Sequence, residues 1–580
     1  MNRLKILQII IIAVALSIIA RLFYWQFLAN IPSQSSSYSQ EIKLPASRGQ
    51  IFASDNFPLA TNQEAFLIYA KPKEIDKESD LAKKIAPFLI SEKYATAGAN
   101  LLEEQKKQKE TEIGKKEEEI TQKIKNKNLL WVQIGRKVPK NIKNILDELK
   151  IKGLGFERDE KRFYPEASMA AHLLGFVGSD KFGDDTGYFG LEGFFDEKLK
   201  GKSGKLGLDK DPFGFPILVS KYRTVEPKEG ESLILTIDRT IQYIVEQKLK
   251  AATEKYGAKQ GTVIVSQPQT GQILAMATYP SYDPNLFTEF NEKDYKNPAV
   301  ADTYEPGSTF KLITIAAALD TAVVSPQTKC EVCSGPRQIG GYEISTWNKK
   351  YYPNSTITEV IQHSDNVGMT FVAEKLGTDK LFDYIQKFGF DKNTGIELQE
   401  ETTGVIRDKE QWRQIDLATA SFGQGLAVTP IQMVQTVQTI ANGGKQIPPR
   451  LVKAVIEKDK QKPVKQPAEK QLISQKTAAQ ITEMMVNAVE NGEARAFKPK
   501  GYRIAGKTGT AQIPLAGHYD PEKTIASFVG FAPAQNPRFV MLVRFTEPSS
   551  SIFGSETAAP TFFEIAKEIF SYLAISPKDN

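Results

Sequence analysis

Apolar positions dominate the amino terminus. From Ile6 to Leu28 the chain is interrupted only by Gln8, Ser17, Arg21 and Gln26, a run long enough for a helix to cross the hydrocarbon core of a bilayer. Arg3 and Lys5 precede it. The predicted topology is therefore a cytoplasmic tail over 1–5, a single transmembrane anchor over 6–28, and the remainder on the outer side of the cytoplasmic membrane. Tyr24 and Trp25 suit the far interface, and Arg21 snorkels toward it. A cleaved signal peptide is the alternative, but the small-x-small site Ala13-Val14-Ala15 lies inside the apolar run rather than after it.

Beyond the polar tether IPSQSSSYSQ, residues 29–230 mix turns with short strand patterns. The charge run at 101–128 (LLEEQKKQKETEIGKKEEEITQKIKNKN) interrupts them and is predicted to be a solvated helical arm. Near 231 the periodicity changes. SLILTID reads as a strand, TIQYIVEQKLKAATEKYG as an amphipathic helix, and GTVIVSQPQTGQILAMAT as two strands joined by a turn. Near the end, TIASFVGFAPAQNPRFVMLVRFTE gives a second hairpin and TFFEIAKEIFSYLAI a closing helix. Strands at both ends of a helical stretch predict an α+β domain over 231–575, its antiparallel sheet completed by the C-terminal strands and flanked by helices. No internal repeat is evident.

Composition narrows the function classes. At 580 residues, 41% hydrophobic and 25% charged, the chain is globular and long enough for two or three domains. A net charge of +6 without basic patches interleaved with aromatics leaves no nucleic-acid footprint. Three histidines, His172, His363 and His518, leave little room for histidine-based metal or triad chemistry. Cys330 and Cys333 form a Cys-x-x-Cys that fits half a metal site, a redox pair or a short disulfide. With no second pair and no thioredoxin-like context, they are read as a local loop staple or two unpaired thiols.

The chemistry concentrates in three short motifs. In YEPGSTFKLITIAAALDTA, the residues after Pro306-Gly307 are apolar all round, the mark of a buried helix. Ser308 at its start and Lys311 one turn later lie on the same side. A buried lysine is costly unless paired or neutral, and desolvation with a second nearby cation makes it a usable base. The helix N-terminus favours a developing oxyanion. Lys507-Thr508-Gly509-Thr510 in RIAGKTGTAQI fits a strand beside a cleft, with Gly509 letting substrate approach the backbone and Lys507, Thr508 and Thr510 holding a carboxylate. Ser-Asp-Asn occurs twice, as Ser54-Asp55-Asn56 and Ser364-Asp365-Asn366.

Ser-x-x-Lys, Ser-x-Asn and Lys-Thr-Gly in that order resemble the penicillin-interacting serine enzymes. Over nearly its whole length the chain is similar to a class B penicillin-binding protein, a monofunctional peptidoglycan D,D-transpeptidase. RGQIFASDNFPLA, KRFYPEASMAAHLLGFVG, GYFGLEGFFDEKLKGKSG, TGQILAMATYPSYDPN, NPAVADTYEPGSTFK and SFGQGLAVTPIQM carry the resemblance alongside the motifs. YEPGSTFK and GYRIAGKTGTAQ lean toward the septal, division-type branch rather than the elongation type. The resemblance implies an elongated N-terminal pedestal of dimerisation type over 29–230 ahead of the transpeptidase domain. It implies Ser308 as the acylated nucleophile, Lys311 as its base, Ser364 as a relay to Lys507 and the leaving amine, and Asn366 as a hydrogen-bond partner of the substrate amide. Lys507, Thr508 and Thr510 would bind the terminal carboxylate, and the N–H groups of Ser308 and Thr510 would form the oxyanion hole. The implied partners are peptidoglycan stem peptides, β-lactams as mimics of the donor, and a polytopic lipid II polymerase with other division proteins in the membrane. No cofactor or metal is implied.

Two points limit the match. The family's segment after the anchor usually reads Arg-Gly-x-Ile-x-Asp-Arg-Asn-Gly; Arg48, Gly49 and Ile51 fit, but Ala53-Ser54-Asp55-Asn56 replaces the end. Asp and Asn suit turns, so the first triplet is predicted to be turn chemistry and the second the catalytic copy. A serine β-lactamase shares the motifs, with Glu400 or Glu401 as its deacylating base, but has no need of an anchor and a long preceding region. A glycosyltransferase domain is not expected, and a non-catalytic scaffold is disfavoured by the complete motif set.

Overall fold

The computed structural model describes residues 2–28, 39–91, 103–181, 183–209, 223–515 and 518–577. Contacts divide the chain into two compact units, 1–46 with 201–229 and 47–200 with 230–580. In the first, α1 (Asn2–Phe23) runs into a π-helical turn over Tyr24–Leu28. Lys5–Gln26 is long and apolar enough to cross a membrane and is exposed along its length. Most of the predicted tether, 31–38, lies outside the described residues. Ser39–Leu44 pairs antiparallel with Gly204–Asp209, which pairs with Arg223–Val225.

The second unit opens with a hairpin, β1 (Ile51–Phe52) and β2 (Pro58–Ala70), and the first Ser-Asp-Asn lies in its turn. Asn56 takes φ +66°, a left-handed conformation that asparagine tolerates. Asp55 Oδ1 accepts from Phe57 N at 3.1 Å, and Ala53 N donates to Phe57 O at 2.9 Å. The turn closes without a glycine.

The long β2 then pairs with two further strands. α2 (Glu78–Ser91) and α3 (Glu103–Lys125) precede β3 (Val132–Pro139), α4 (Lys140–Glu148) and β4 (Leu154–Phe163), and both β3 and β4 run antiparallel to β2. The charge run is helical as predicted, but it is not simply a solvated arm. Ile120 and Ile124 are wholly buried, and Ile113 packs against the same core with Leu81 and Ile85 of α2. Their spacing puts the three isoleucines on one helical stripe.

Three charged side chains lock the start of this unit. Arg48 Nε donates to Glu192 Oε2 at 2.7 Å and Arg162 Nε to Glu192 Oε1 at 2.6 Å, with Glu192 fully buried. Arg48 also reaches Asp196 at 2.7 Å. Asn62 ties the arginines together, donating to Arg48 O at 2.6 Å and accepting from Arg162 Nη1 at 2.9 Å. Burial alone would raise the Glu192 carboxyl, but the two guanidiniums outweigh it and hold it below the ordinary range.

SLILTID forms β5 (Ser232–Leu235), but this strand does not join the predicted catalytic sheet. It pairs parallel with β1 and antiparallel with Val452–Glu457, which pairs in turn with Lys460–Pro463. One sheet thus joins residues from both sides of 231. After β5, Asp238 caps α5 (Arg239–Tyr256), accepting from Thr240 N and Ile241 N, and Gly257 ends it in the left-handed conformation.

A second sheet has five antiparallel strands: β6 (Gln260–Ser266), β7 (Ile273–Tyr279), β8 (Ala505–Leu515), β9 (His518–Ala532) and β10 (Phe539–Thr546), in the order β7-β6-β10-β9-β8. On one face Val263, Phe528, Met541 and Phe545 pack with Val245 and Leu249 of α5 and with Phe562, Phe563 and Ile569 from the closing helix, Ala558–Tyr572. On the other, Ile264, Val529, Val540 and Leu542 meet α6 (Lys311–Asp320) and a helix over Pro430–Ala441. Cys330 and Cys333 are joined in a disulfide with Cα atoms 5.6 Å apart, and both are buried. Of the two favoured readings the loop staple is the one found.

Candidate active site

Ser308 lies in a 3-10 turn, Gly307–Thr309, that leads into α6; the α-helix itself begins at Lys311. The difference from the predicted helix start has a local cause. Gly307 takes φ +53° and donates to Gly423 O at 3.0 Å, while Thr309 Oγ1 donates back to Pro306 O at 2.8 Å. These bonds tighten the chain before the helix opens. From Lys311 to Leu319 every residue of α6 is buried, as its all-apolar pattern predicts.

The second triplet sits between α7 (Ile357–Gln362) and α8 (Asn366–Leu376), where the two helical patterns meet. Thr356 starts α7 with a capping box and Asp365 caps α8. Ser364, between them, takes φ +54°, a conformation costly for a residue with a Cβ and frequent at functional sites. It turns the hydroxyl into the centre of the cluster. Lys507 Nζ donates to Ser364 Oγ at 2.9 Å, and Ser364 Oγ donates to Ser308 Oγ at 2.9 Å. Lys311 Nζ lies 3.3 Å from the same hydroxyl, 2.6 Å from Ser364 O and 2.8 Å from Asn366 Oδ1. Asn366 Nδ2 donates to Ser345 O at 3.2 Å. The asparagine therefore grips the lysine, a tie that the sequence did not indicate.

Burial and the neighbouring Lys507 push Lys311 well below the ordinary lysine range, against the opposing pull of Asp365 and Glu493. Burial lowers Lys507 to about 8, and Glu493 again opposes it. Two buried lysines around one serine hydroxyl cannot both carry a charge cheaply. The neutral amine belongs at Lys311, which sits at the N-terminus of α8, where the helix dipole disfavours a cation.

On β8, the Lys-Thr-Gly residues divide between the two faces of an edge strand. Lys507 also donates to Thr508 O at 3.1 Å and Thr508 Oγ1 at 3.2 Å, and Thr510 Oγ1 accepts from Gly554 N at 3.0 Å. Gly509 also answers to packing within the protein. A Cβ there would lie 2.4 Å from Ser527 Oγ, 2.9 Å from Thr309 Cγ2 and 3.1 Å from Pro306 O. The missing side chain makes room for the turn that carries Ser308. Gly509 ends a register row, Thr278, Thr262, Arg544, Ser527, Gly509, that crosses all five strands on the face toward this turn. Gly509→Ala should slow acylation by a penicillin about 10- to 100-fold and cost about 1–3 kcal/mol of stability. Stopped-flow labelling and thermal unfolding check this, and an unchanged rate would mean the turn has room.

Aromatic and acidic side chains border the cluster without a sequence signal of their own. Trp347, two residues from Ser345, meets Phe553, next to Gly554, with ring centroids 5.3 Å apart. Glu305 accepts from Gly425 N at 3.0 Å and from Tyr519 at 3.2 Å. The histidines stand apart in the described hydrogen bonding: His172 is buried against Tyr282, where burial lowers it to about 4, and His363 stacks on Tyr352 at 3.8 Å.

The chain is similar to known proteins over nearly its whole length. Residues 261–570 match the penicillin binding protein transpeptidase domain, and residues 43–235 the penicillin-binding protein dimerisation domain. Stage V sporulation protein D of Bacillus subtilis is 33% identical, the alignment covering 100% of this chain and 87% of that protein. Peptidoglycan D,D-transpeptidase FtsI of Buchnera aphidicola is 31% identical over 99% of this chain and 96% of its own. The crystal structure of penicillin-binding protein 3 from Mycobacterium tuberculosis complexed with aztreonam superposes with a TM-score of 0.69 at 26% identity, covering 93% of this chain and 98% of that one. The chain belongs to the penicillin-binding proteins, with a transpeptidase domain preceded by the family's dimerisation domain.

Proposed function

We propose that this protein cross-links peptidoglycan stem peptides by serine acyl transfer, as a D,D-transpeptidase of septal wall synthesis. The observation that carries the reading is the hydrogen-bonded line Lys507–Ser364–Ser308 with a buried, depressed Lys311 beside it. Ser308 Oγ attacks the carbonyl of the penultimate D-Ala and passes its proton to Lys311. The amides of Ser308 and Thr510 hold the oxyanion. The C–N bond then breaks, and Lys507 supplies a proton through Ser364 to the departing D-Ala amine. An acceptor amine attacks the ester and gives up a proton through Ser364 to Lys507, while Lys311 returns its proton to the departing Ser308 Oγ. Thr508, Thr510 and Lys507 bind the terminal carboxylate, and Asn366 the substrate amide.

In this reading residues 1–5 are cytoplasmic, 6–28 cross the membrane, 29–230 form the pedestal and 231–575 the transpeptidase domain. The anchor and pedestal pair with a polytopic lipid II polymerase and other division proteins. A β-lactamase is disfavoured because both proposed deacylating carboxylates are occupied: Glu400 accepts from Gly190 N at 3.1 Å and Glu401 from Thr394 N at 2.6 Å. Labelling the full-length protein with a fluorescent penicillin and mapping the modified peptide should give one long-lived adduct, on Ser308. An adduct elsewhere, or rapid steady-state turnover of the drug, would overturn the proposal.

A further inference from the structure

The reaction as proposed makes no use of Asp365, the middle residue of the triplet, yet this aspartate is buried between the two residues that hold Lys311. The amine is thereby seated at the first turn of α8, where the positive end of the helix dipole opposes a cation. Half of the Asp365 carboxylate is spent locally: Oδ1 accepts from Val367 N at 2.8 Å and Gly368 N at 3.1 Å. Oδ2 is buried without a hydrogen-bond partner. Asparagine or serine caps a helix about as well as aspartate, so capping does not account for burying a full charge here.

We propose that Asp365 is a positioning residue for Lys311, its buried carboxylate being the fixed counter-charge that holds the amine between Ser364 and Asn366 against the helix dipole and Lys507. The inference rests on the reading of Lys311 as the base. The charged groups facing Lys311 are Lys507 from β8, Asp365 from the N-cap of α8 and Glu493 from the segment after the helix Gln475–Asn491. His363, at the end of α7, faces Asp365. Asp365 is the leading opposing charge at Lys311 and Glu493 the one at Lys507, so removing Asp365 acts first on Lys311. Without the carboxylate, the ammonium form of Lys311 loses support, and the neutral base persists to lower pH.

The test is the acylation rate of the full-length protein by a fluorescent penicillin as a function of pH. Asp365→Asn keeps the cap and removes the charge. The acid limb of its profile should move down by about one pH unit or more, while the limb set by Lys507 stays in place. Asp365→Ser, also a capping residue, should shift the same limb the same way, and it carries the test if the asparagine variant does not fold. An unmoved acid limb in a folded variant overturns the role given to Asp365. If Lys311→Ala were acylated at the parent rate, the assignment of the base would fail instead, and the two failures are told apart by that one variant.

Discussion

Replacing Lys311 with alanine is expected to lower the rate of Ser308 acylation by about 10²- to 10⁴-fold, measured by rapid-mixing labelling with a fluorescent penicillin. The size follows from what the amine does. Burial and Lys507 both drive it toward the neutral form. Without it the serine has only Ser364 to take its proton, and Ser364 is already a donor to Ser308 and an acceptor from Lys507. The acid limb of the pH profile should vanish with the side chain, leaving a low rate that varies only on the limb set by Lys507. Because the groups act as a unit, Lys311→Ala combined with Ser364→Ala should be little slower than the worse single variant. Fully multiplicative losses would mean that the two serve separate steps.

Glu192→Ala should cost about 3–5 kcal/mol of stability, the largest loss expected from one substitution outside the core. It would leave Arg48 and Arg162 facing each other in a buried site with their common partner gone. Asp196 offsets part of the charge on Arg48, but Arg162 has only the neutral Asn62 left. Denaturant unfolding of the membrane-free signal, followed by far-UV circular dichroism in detergent, measures the loss. Replacing all three charges by apolar residues of similar volume should recover much of it. A loss below about 1 kcal/mol for the single variant would show that the arginines find water on removal of the carboxylate.

The chemistry was more legible in the sequence than the architecture. Ser308, Lys311, Ser364, Asn366 and Lys507 each lie in a short motif, and the all-apolar stretch around Lys311 announced a buried amine. The five-stranded sheet followed from two hairpin patterns, because alternation and turn residues are local signals. What escaped was set by partners distant in the chain. Asn366 gripping Lys311, Gly509 making room for Thr309, and Arg48 with Arg162 on Glu192 are contacts between segments that no periodicity links. β5 had a clear strand pattern, but its neighbours did not, so its sheet was misjudged. The three isoleucines of α3 were present in the sequence and were masked by the density of charge around them.

The position of β5 also governs how the chain comes to be folded. Its neighbour β1 leaves the ribosome long before it, and its other neighbour, Val452–Glu457, long after. Such a pairing has high contact order and closes late, so Leu233 and Leu235, buried in the finished protein, wait as an unmatched edge during synthesis. A fragment begun at 231 would retain every catalytic motif and yet make that wait permanent on the β1 side. Aggregation or strand exchange between copies is the expected fate of such a fragment, whereas one begun at Ser47 carries its own edge protection from the start.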